Sequence, residues 1–157
     1  MDLQSQTPVL LLQETDGEYR TLPIFIGTPE AASIAYALQG VVMPRPMTHD
    51  LIKEVLSSLE VEIERVVITE LQSSTYIAEL QLKRGSDRSV VSSRPSDAVA
   101  VAVRTGTPLY VSDELMDAEG MHLDIDNADE DDEAMPEELV DRFREFLEGI
   151  KPEDFAS

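Results

Sequence analysis

Three short segments of the sequence place charged or imidazole side chains beside predicted helix starts. The first is segment 44–50, in which His49 and Asp50 are adjacent. Histidine commonly moves protons or binds metals, so His49 could be a general base or a metal ligand that Asp50 orients. A structural role also fits: Asp50 would complement the helix dipole and His49 would fill a gap beside Ile52. Adjacent helical residues do not face each other, which argues against a simple pair.

The second segment is Arg94-Pro95-Ser96-Asp97-Ala98. An arginine beside a helix N-terminus can hold a phosphate group, because backbone N–H groups and a planar cation then point at the same place. Asp97 could hold a divalent cation or orient Arg94. The structural alternative is an N-cap and an Arg94–Asp97 pair that fixes the turn.

The third segment is Ile26-Gly27-Thr28-Pro29-Glu30, where Glu30 could be a metal ligand or general base, or could only complement the helix dipole. Phosphodiester hydrolysis requires an activated water, neutralised phosphoryl oxygens and a protonated leaving group. The three segments hold enough groups for this chemistry. The predicted catalytic residues are Glu30, His49, Asp50 and Asp97, the predicted phosphate-binding residues are Arg45 and Arg94, and the predicted ligands of a divalent cation such as Mg or Mn are Glu30, Asp50 and Asp97.

Hydrophobic patterning predicts an α+β fold with helices packed on a mixed or antiparallel sheet. Residues 95–105 fit a strand by their Val/Ala alternation, but Pro95 and Gly106 are typical helix boundaries, so we predict a helix. The other predictions are a hairpin over 8–26, a buried helix capped by Thr28 and ending at Gly40, a helix capped by Thr48, strands at 61–71, 75–83, 89–93 and 109–111, and a short helix over 113–118.

A weak internal repeat links two of the predicted helices. Glu30-Ala31-x-x-Ile34-Ala35 matches Asp97-Ala98-x-x-Val101-Ala102. Chance could produce the match, because alanine-rich helix starts are common. A true repeat would imply two similar β–α halves, each with a carboxylate at a helix N-terminus.

The composition changes after Gly120, which predicts three parts of the chain. Residues 1–122 form the main domain, 123–134 an acidic linker, and 135–157 a C-terminal amphipathic helix and tail. The last helix has an apolar stripe that must pack on its own core or on a partner chain. The stripe of that helix predicts a homo-oligomer, with a dimer favoured. Its members are Leu139, Phe143, Phe146, Leu147 and Ile150.

The net charge of −20 over 157 residues is the strongest compositional feature. A field this negative repels nucleic acid at low salt. It fits a protein adapted to a salty cytoplasm, and also an ordinary bacterial protein with an acidic tail. The charge therefore keeps open a second functional class, a non-enzymatic regulatory or protein-binding module with an acidic surface.

The absence of cysteine excludes disulfides, thiolate zinc sites and cysteine nucleophiles. No apolar run approaches the roughly 20 residues that span a bilayer, and no signal peptide opens the sequence. We therefore expect a cytoplasmic protein without a membrane partner.

At its three charged segments the sequence resembles the bifunctional nuclease family, over about residues 3–120. The matching stretches are 8–12, 22–27, 30–31, 45–51, 94–98 and 108–111. The resemblance implies RNase and DNase activity, with RNA or DNA as substrate, and family habit also favours an oligomer. It supplies no catalytic set to transfer. Family members usually begin with another strand before the loop at 3–8, and we expect that strand to be missing here.

Overall fold

The computed structural model describes residues 7–123, which form an α+β fold of two sheets and four helices within that range. The predicted fold class is thus confirmed. The elements are β1 (Val9–Gln13), β2 (Thr21–Phe25), α1 (Thr28–Leu38), α2 (Thr48–Ser58), β3 (Glu62–Gln72), β4 (Thr75–Arg84), β5 (Asp87–Ser93), α3 (Pro95–Thr105), β6 (Leu109–Val111) and α4 (Asp113–Glu119).

Strands β1 and β2 form the predicted hairpin, antiparallel from Val9 opposite Phe25 to Gln13 opposite Thr21. Gly17 lies in the connection with φ of +76°, a conformation that glycine adopts without steric cost. Thr21 also exchanges backbone hydrogen bonds with Met121. The described chain therefore ends beside the hairpin with which it begins.

The second sheet has four strands in the order β5-β4-β3-β6. Strands β3, β4 and β5 are antiparallel neighbours, whereas β6 runs parallel to β3. The sheet is therefore mixed. Its inward side chains include Val66 and Ile68 of β3 and Ala78 and Leu80 of β4, all buried in the main core.

Helix α3 is the central helix of the domain. It contacts β3 and β4 as well as α1 and α2, and it buries Ala98, Val99, Ala100, Val101 and Ala102. The small alanine side chains let neighbouring elements approach this helix closely on several sides. Their alternation with valine is what also gave the sequence a strand-like pattern. Gly106 ends the helix with φ of +65°, as glycine commonly does at a helix C-terminus.

Helices α1 and α2 are less buried than their apolar residues suggest. The prediction that α1 is a buried helix is wrong: only Ser33 and Ile34 are buried, and Leu38 is exposed. In α2 the single buried residue is His49, while Leu51, Ile52 and Val55 are exposed. Because both helices pack mainly on α3, each has one covered side.

Two predicted caps are also wrong by one residue. Thr28 and Thr48 are the first helical residues, and the capping positions are Gly27 and Met47. As a consequence Glu30, Asp50 and Asp97 are each the third residue of their helix. This is a favourable place for a carboxylate, since the helix dipole is positive there.

The acidic linker from residue 124 onward and the C-terminal helix predicted over 135–157 lie outside the described residues. Between residues 7 and 123, no helix is both long and apolar enough to cross a membrane.

Candidate functional site

Arg94 connects the N-termini of α1 and α3. Its Nε donates to Oδ2 of Asp97 at 2.7 Å, and its Nη2 donates to Oδ1 of Asp97 at 3.1 Å. The same Nη2 reaches Oε1 of Glu30 across the helix pair at 3.0 Å. The two carboxylates aligned by the sequence repeat therefore meet at one guanidinium group.

Gly27 explains how Glu30 reaches this position. The Glu30 carboxylate folds back over the start of α1, and its Oε2 occupies the space that a Cβ atom at position 27 would need. Any side chain at position 27 would have to displace Glu30. The predicted segment 26–30 thus carries a steric requirement in addition to its charge.

His49 joins α2 to the same cluster. Its Nε2 lies 2.9 Å from Oδ1 of Asp97, and its Nδ1 lies 2.8 Å from Oγ of Ser33 on α1. Both ring nitrogens are therefore engaged, and the ring is buried. His49 does not pair with its sequence neighbour Asp50, as expected from helix geometry.

Asp50 is instead held by Arg104 near the other end of α3. Arg104 Nε donates to Asp50 Oδ1 at 2.7 Å, and Asp50 Oδ2 accepts from the Met47 backbone N–H at 2.9 Å. Arg104 also donates to the carbonyl oxygens of Ala100 and Ser33, at 2.7 and 3.1 Å. Its Nη2 lies 2.9 Å from Ser33 Oγ, which closes the link to His49.

One continuous network therefore crosses α1, α2 and α3. We call it the polar network, and its members are Glu30, Ser33, His49, Asp50, Arg94, Asp97 and Arg104. It brings together five of the six residues predicted from the three segments. Ser33 and Arg104 were missed, because Ser33 lies in an alanine-rich stretch and Arg104 in a Val/Ala helix without any motif. The weak signal available was polarity: each interrupts an otherwise apolar or small-residue run.

The sixth predicted residue, Arg45, is exposed in the connector between α1 and α2. It forms no hydrogen bond or ion pair with any residue between 7 and 123. A half-open groove of about 240 Å³ adjoins the Asp50–Arg104 end of the network. Its wall includes Tyr36, Val41, Met43 and Met47, so one side of the network borders an apolar surface.

The network is exposed at its two ends and buried in its middle. At one end the Arg94 side chain is 64% exposed and that of Asp97 is 29% exposed, whereas Glu30 is 17% and His49 only 9% exposed. At the other end Asp50 is 36% exposed and Arg104 is 7% exposed. A substrate that approaches the Arg94 end would meet Arg94 and Asp97 first, with His49 behind Asp97.

The two aspartates of the network are held in their charged form. Burial raises the pKa of Asp97, but hydrogen bonds from Arg94 and His49 outweigh it, so its pKa lies below the ordinary 3.8. The pKa of Asp50 is lowered mainly by its hydrogen bond from Arg104 and also by the Met47 N–H group. Hydrogen bonding to Asp97 raises the pKa of Arg94. Both aspartates are thus ionised at neutral pH.

The orientation of these carboxylates does not fit a shared divalent cation. Asp50 points at Arg104, and Asp97 and Glu30 point at Arg94, so each carboxylate already faces a fixed positive charge. No group of three or more His, Asp or Glu side chains within residues 7–123 is arranged to hold a metal ion. A divalent cation such as Mg or Mn at these carboxylates stays a prediction.

All residues of the polar network lie within a stretch of the chain that matches one family model. The family model for the bifunctional nuclease domain matches residues 10–124. The chain therefore belongs to the bifunctional nuclease family, and the resemblance seen in its motifs is confirmed.

Individual relatives differ in how much of their length the chain matches. It is 44% identical to an uncharacterized protein of Mycobacterium tuberculosis over 150 residues, which are 96% of this chain and 89% of the relative. It is 30% identical over 117 residues to Bifunctional nuclease 2 of Arabidopsis thaliana. That match covers 73% of this chain but 36% of the plant protein. The similarity to named nucleases thus concerns about a third of their length.

Proposed function

We propose that this domain is a nuclease that hydrolyses phosphodiester bonds in RNA, DNA or both. The observation that carries the proposal is the convergence of Glu30, His49, Arg94 and Asp97, from three helices, on one partly exposed place. Family membership supports the same reaction, since relatives are named bifunctional nucleases.

Arg94 is the proposed phosphate-binding residue. Its hydrogen bonds within residues 7–123 use Nε and Nη2, which leaves the two donors of Nη1 for a phosphate oxygen. The first N–H groups of α3 lie beside it and receive no side-chain cap. A planar cation next to a helix N-terminus is a favourable environment for a phosphoryl group.

Asp97 is the proposed proton acceptor, and His49 is the proposed residue that orients it. Asp97 is ionised and partly exposed, so it can accept a hydrogen bond, and then a proton, from the attacking water at a phosphate held by Arg94. His49 contacts the same Asp97 carboxylate from the protein side, and its hydrogen bond helps to keep that carboxylate charged and in place. Glu30 fixes Arg94 from the opposite side.

The proposed activity is tested with pure protein and labelled RNA or single-stranded DNA, comparing His49→Gln, Asp50→Asn and Asp97→Asn with the unaltered chain. Loss of a proton-transfer group typically costs about 100-fold or more, so cleavage by Asp97→Asn should fall to that extent, and cleavage by His49→Gln should also fall because Asp97 loses the ring that orients it. His122→Asn is the matched control, because His122 is exposed and lies outside the polar network. Undiminished cleavage by all three variants, each still folded by circular dichroism, would reject this site.

Repeating the assay with EDTA and with added Mg or Mn tests the predicted cofactor. Because each carboxylate already pairs with an arginine, we expect cleavage to continue in the presence of EDTA. Loss of activity with EDTA, restored by one of these ions, would instead support a metal bound during turnover.

The net charge of −20 favours one alternative, a non-enzymatic regulatory or protein-binding module. The same cleavage assay separates the two. Absence of cleavage by the pure protein at any salt concentration would support the binding module, whereas activity that copurifies with the chain and is lost in His49→Gln and Asp97→Asn would reject it. A cytoplasmic location and a dimer belong to the proposal as well, and light scattering on the full chain tests the dimer.

A further inference from the structure

The polar network contains a buried segment that the proposed reaction does not yet use. Ser33 is buried, and its Oγ lies between His49 Nδ1 at 2.8 Å and Arg104 Nη2 at 2.9 Å. The order Asp97, His49, Ser33 is that of an acid–imidazole–hydroxyl chain. Because Ser33 is 3% exposed, its hydroxyl is not available to attack a substrate.

The donors and acceptors of this segment favour one direction for each hydrogen bond. A guanidinium group only donates, so Ser33 Oγ must accept from Arg104. The single hydroxyl proton of Ser33 is then available to His49 Nδ1, which accepts it only when Nδ1 carries no proton. In the neutral ring the remaining proton is on Nε2, where it is donated to the Asp97 carboxylate.

The opposite arrangement is unfavourable at both nitrogens. With the proton on Nδ1, the lone pair of Nε2 would face the ionised oxygen of Asp97 at 2.9 Å. The hydroxyl proton of Ser33 would also lose its acceptor on the ring. An unpaired polar group in a buried place typically costs free energy, so the arrangement with the proton on Nε2 is selected by its surroundings.

We propose that Ser33 and Arg104 are positioning residues that hold the imidazole of His49 with its proton on Nε2, directed at Asp97. The inference rests on the proposed role of His49 in orienting Asp97, the proposed proton acceptor. It also assigns a task to Asp50, which holds Arg104 through Nε and so acts on His49 through two intervening side chains. Neither Ser33 nor Arg104 would touch the substrate.

Arg104 is suited to this task because four hydrogen bonds fix its orientation. Its guanidinium group donates to Asp50, to the Ala100 carbonyl oxygen, and to the carbonyl and hydroxyl oxygens of Ser33. Lysine could keep the charge but could not make these bonds from one nitrogen. The hydroxyl group that faces His49 is therefore held in place by Arg104 and not by solvent water.

The test is nuclear magnetic resonance of the full chain labelled with ¹⁵N in histidine, at about pH 8.5, above the ordinary titration range of imidazole. In the unaltered chain, His49 should show a protonated Nε2 and an unprotonated, hydrogen-bonded Nδ1. In Ser33→Ala, the Nδ1 signal should move to that of an unbonded nitrogen, and exchange of the Nε2 proton with water should accelerate by about 10-fold or more. Exposed His122 gives the reference spectrum in the same sample.

The matched control is Ser33→Thr, which retains the hydroxyl and should restore the His49 signals of the unaltered chain. In the cleavage assay, Ser33→Ala should lower kcat by about 10- to 100-fold with little change in KM, because substrate contacts are kept while the ring loses its fixed orientation. A protonated Nδ1 in the unaltered chain, or His49 signals that are the same with and without the Ser33 hydroxyl, would overturn the proposal. If the signals change as expected but no variant and no unaltered chain cleaves nucleic acid, the positioning stands and the proposed function fails.

Discussion

At the scale of single residues, Arg94 is the most exposed charged group of the polar network. Its guanidinium group is shared between Asp97 and Glu30, and it is the first positive charge that an approaching phosphate would contact. Charge alone would not reproduce this arrangement, because lysine offers one nitrogen where arginine offers a planar fork.

We expect Arg94→Lys to lower kcat/KM for RNA or DNA by about 10- to 100-fold, because the bidentate hold on Asp97 and the phosphate contact are both weakened. Steady-state cleavage kinetics check the value. Arg88→Lys is the matched control, since Arg88 is equally exposed but pairs with Glu64 on the sheet. An equal loss in both variants would show that the effect is one of general charge and not of the site.

Asp50 supports a prediction about acid stability. Its pKa is lower in the folded chain than the ordinary 3.8, so the stabilisation by its ionised form is fully present above that value and is lost as the pH falls through the folded pKa. At neutral pH, Asp50→Asn should lower the free energy of unfolding by roughly 1–3 kcal/mol. This loss is smaller than that expected for a fully buried ion pair, because Asp50 is 36% exposed and its charge is partly screened by solvent.

Urea unfolding at a series of pH values measures this difference. The difference in unfolding free energy between the unaltered chain and Asp50→Asn should be largest near neutral pH. It should shrink below about pH 4, where Asp50 is protonated first in the unfolded chain and, at lower pH, in the folded chain. A gap that stays constant down to acid would mean that the carboxylate charge does not contribute to stability.

The motifs predicted the residues of the site better than they predicted their partners. Glu30, His49, Asp50, Arg94 and Asp97 were all identified from their places beside helix starts, and the structure unites them. Which groups pair was not predictable, because Arg94 and Glu30 are 64 positions apart and Arg104 and Ser33 are 71 apart. Such pairs depend on how α1 crosses α3, and one sequence contains no record of that crossing.

At the scale of elements, α3 supports the site from below. Its outer positions carry Asp97 and Arg104, and its inner positions, Ala98, Val101 and Ala102, lie in the core with β3 and β4. The helix was predicted from Pro95 and Gly106 against a competing strand pattern. The error at α1 has a different cause: alanine and serine tolerate both burial and exposure, so the sequence pattern could not show that only one side is covered.

Shortening a core side chain of α3 should therefore destabilise the domain. We expect Val101→Ala to lower the free energy of unfolding by about 2 kcal/mol through lost apolar burial and a residual cavity. Val90→Ala is the matched control, because Val90 of β5 is 58% exposed whereas Val101 is 2% exposed. Urea denaturation of both variants gives the comparison, and similar values for the two would contradict the assigned core.

At the scale of the whole molecule, the net charge of −20 is the dominant property. Like charges on one compact chain repel each other, and dissolved salt screens the repulsion over about 10 Å at 0.1 M ionic strength. The same field opposes the approach of a polyanionic substrate, so the proposed activity should not show the steep loss with salt that is typical of basic nucleic-acid-binding proteins.

We expect the thermal unfolding midpoint at neutral pH to rise as KCl is increased from about 0.05 M to about 1 M, because screening relieves the repulsion. Scanning calorimetry measures the shift. The internal control is a series near pH 4.2, the calculated isoelectric point, where the net charge is small and the dependence on KCl should largely disappear. A midpoint that falls with KCl at neutral pH would contradict the expectation.

His49 is the single buried residue of α2, so its imidazole is both the partner of Asp97 and an attachment of this helix to its neighbours. A movement of α2 away from α3 would remove His49 and Asp50 together and would expose Ser33 and Arg104 to water. The docking of this helix and the completion of the candidate site are therefore one event, and a chain in which α2 is detached has no assembled site.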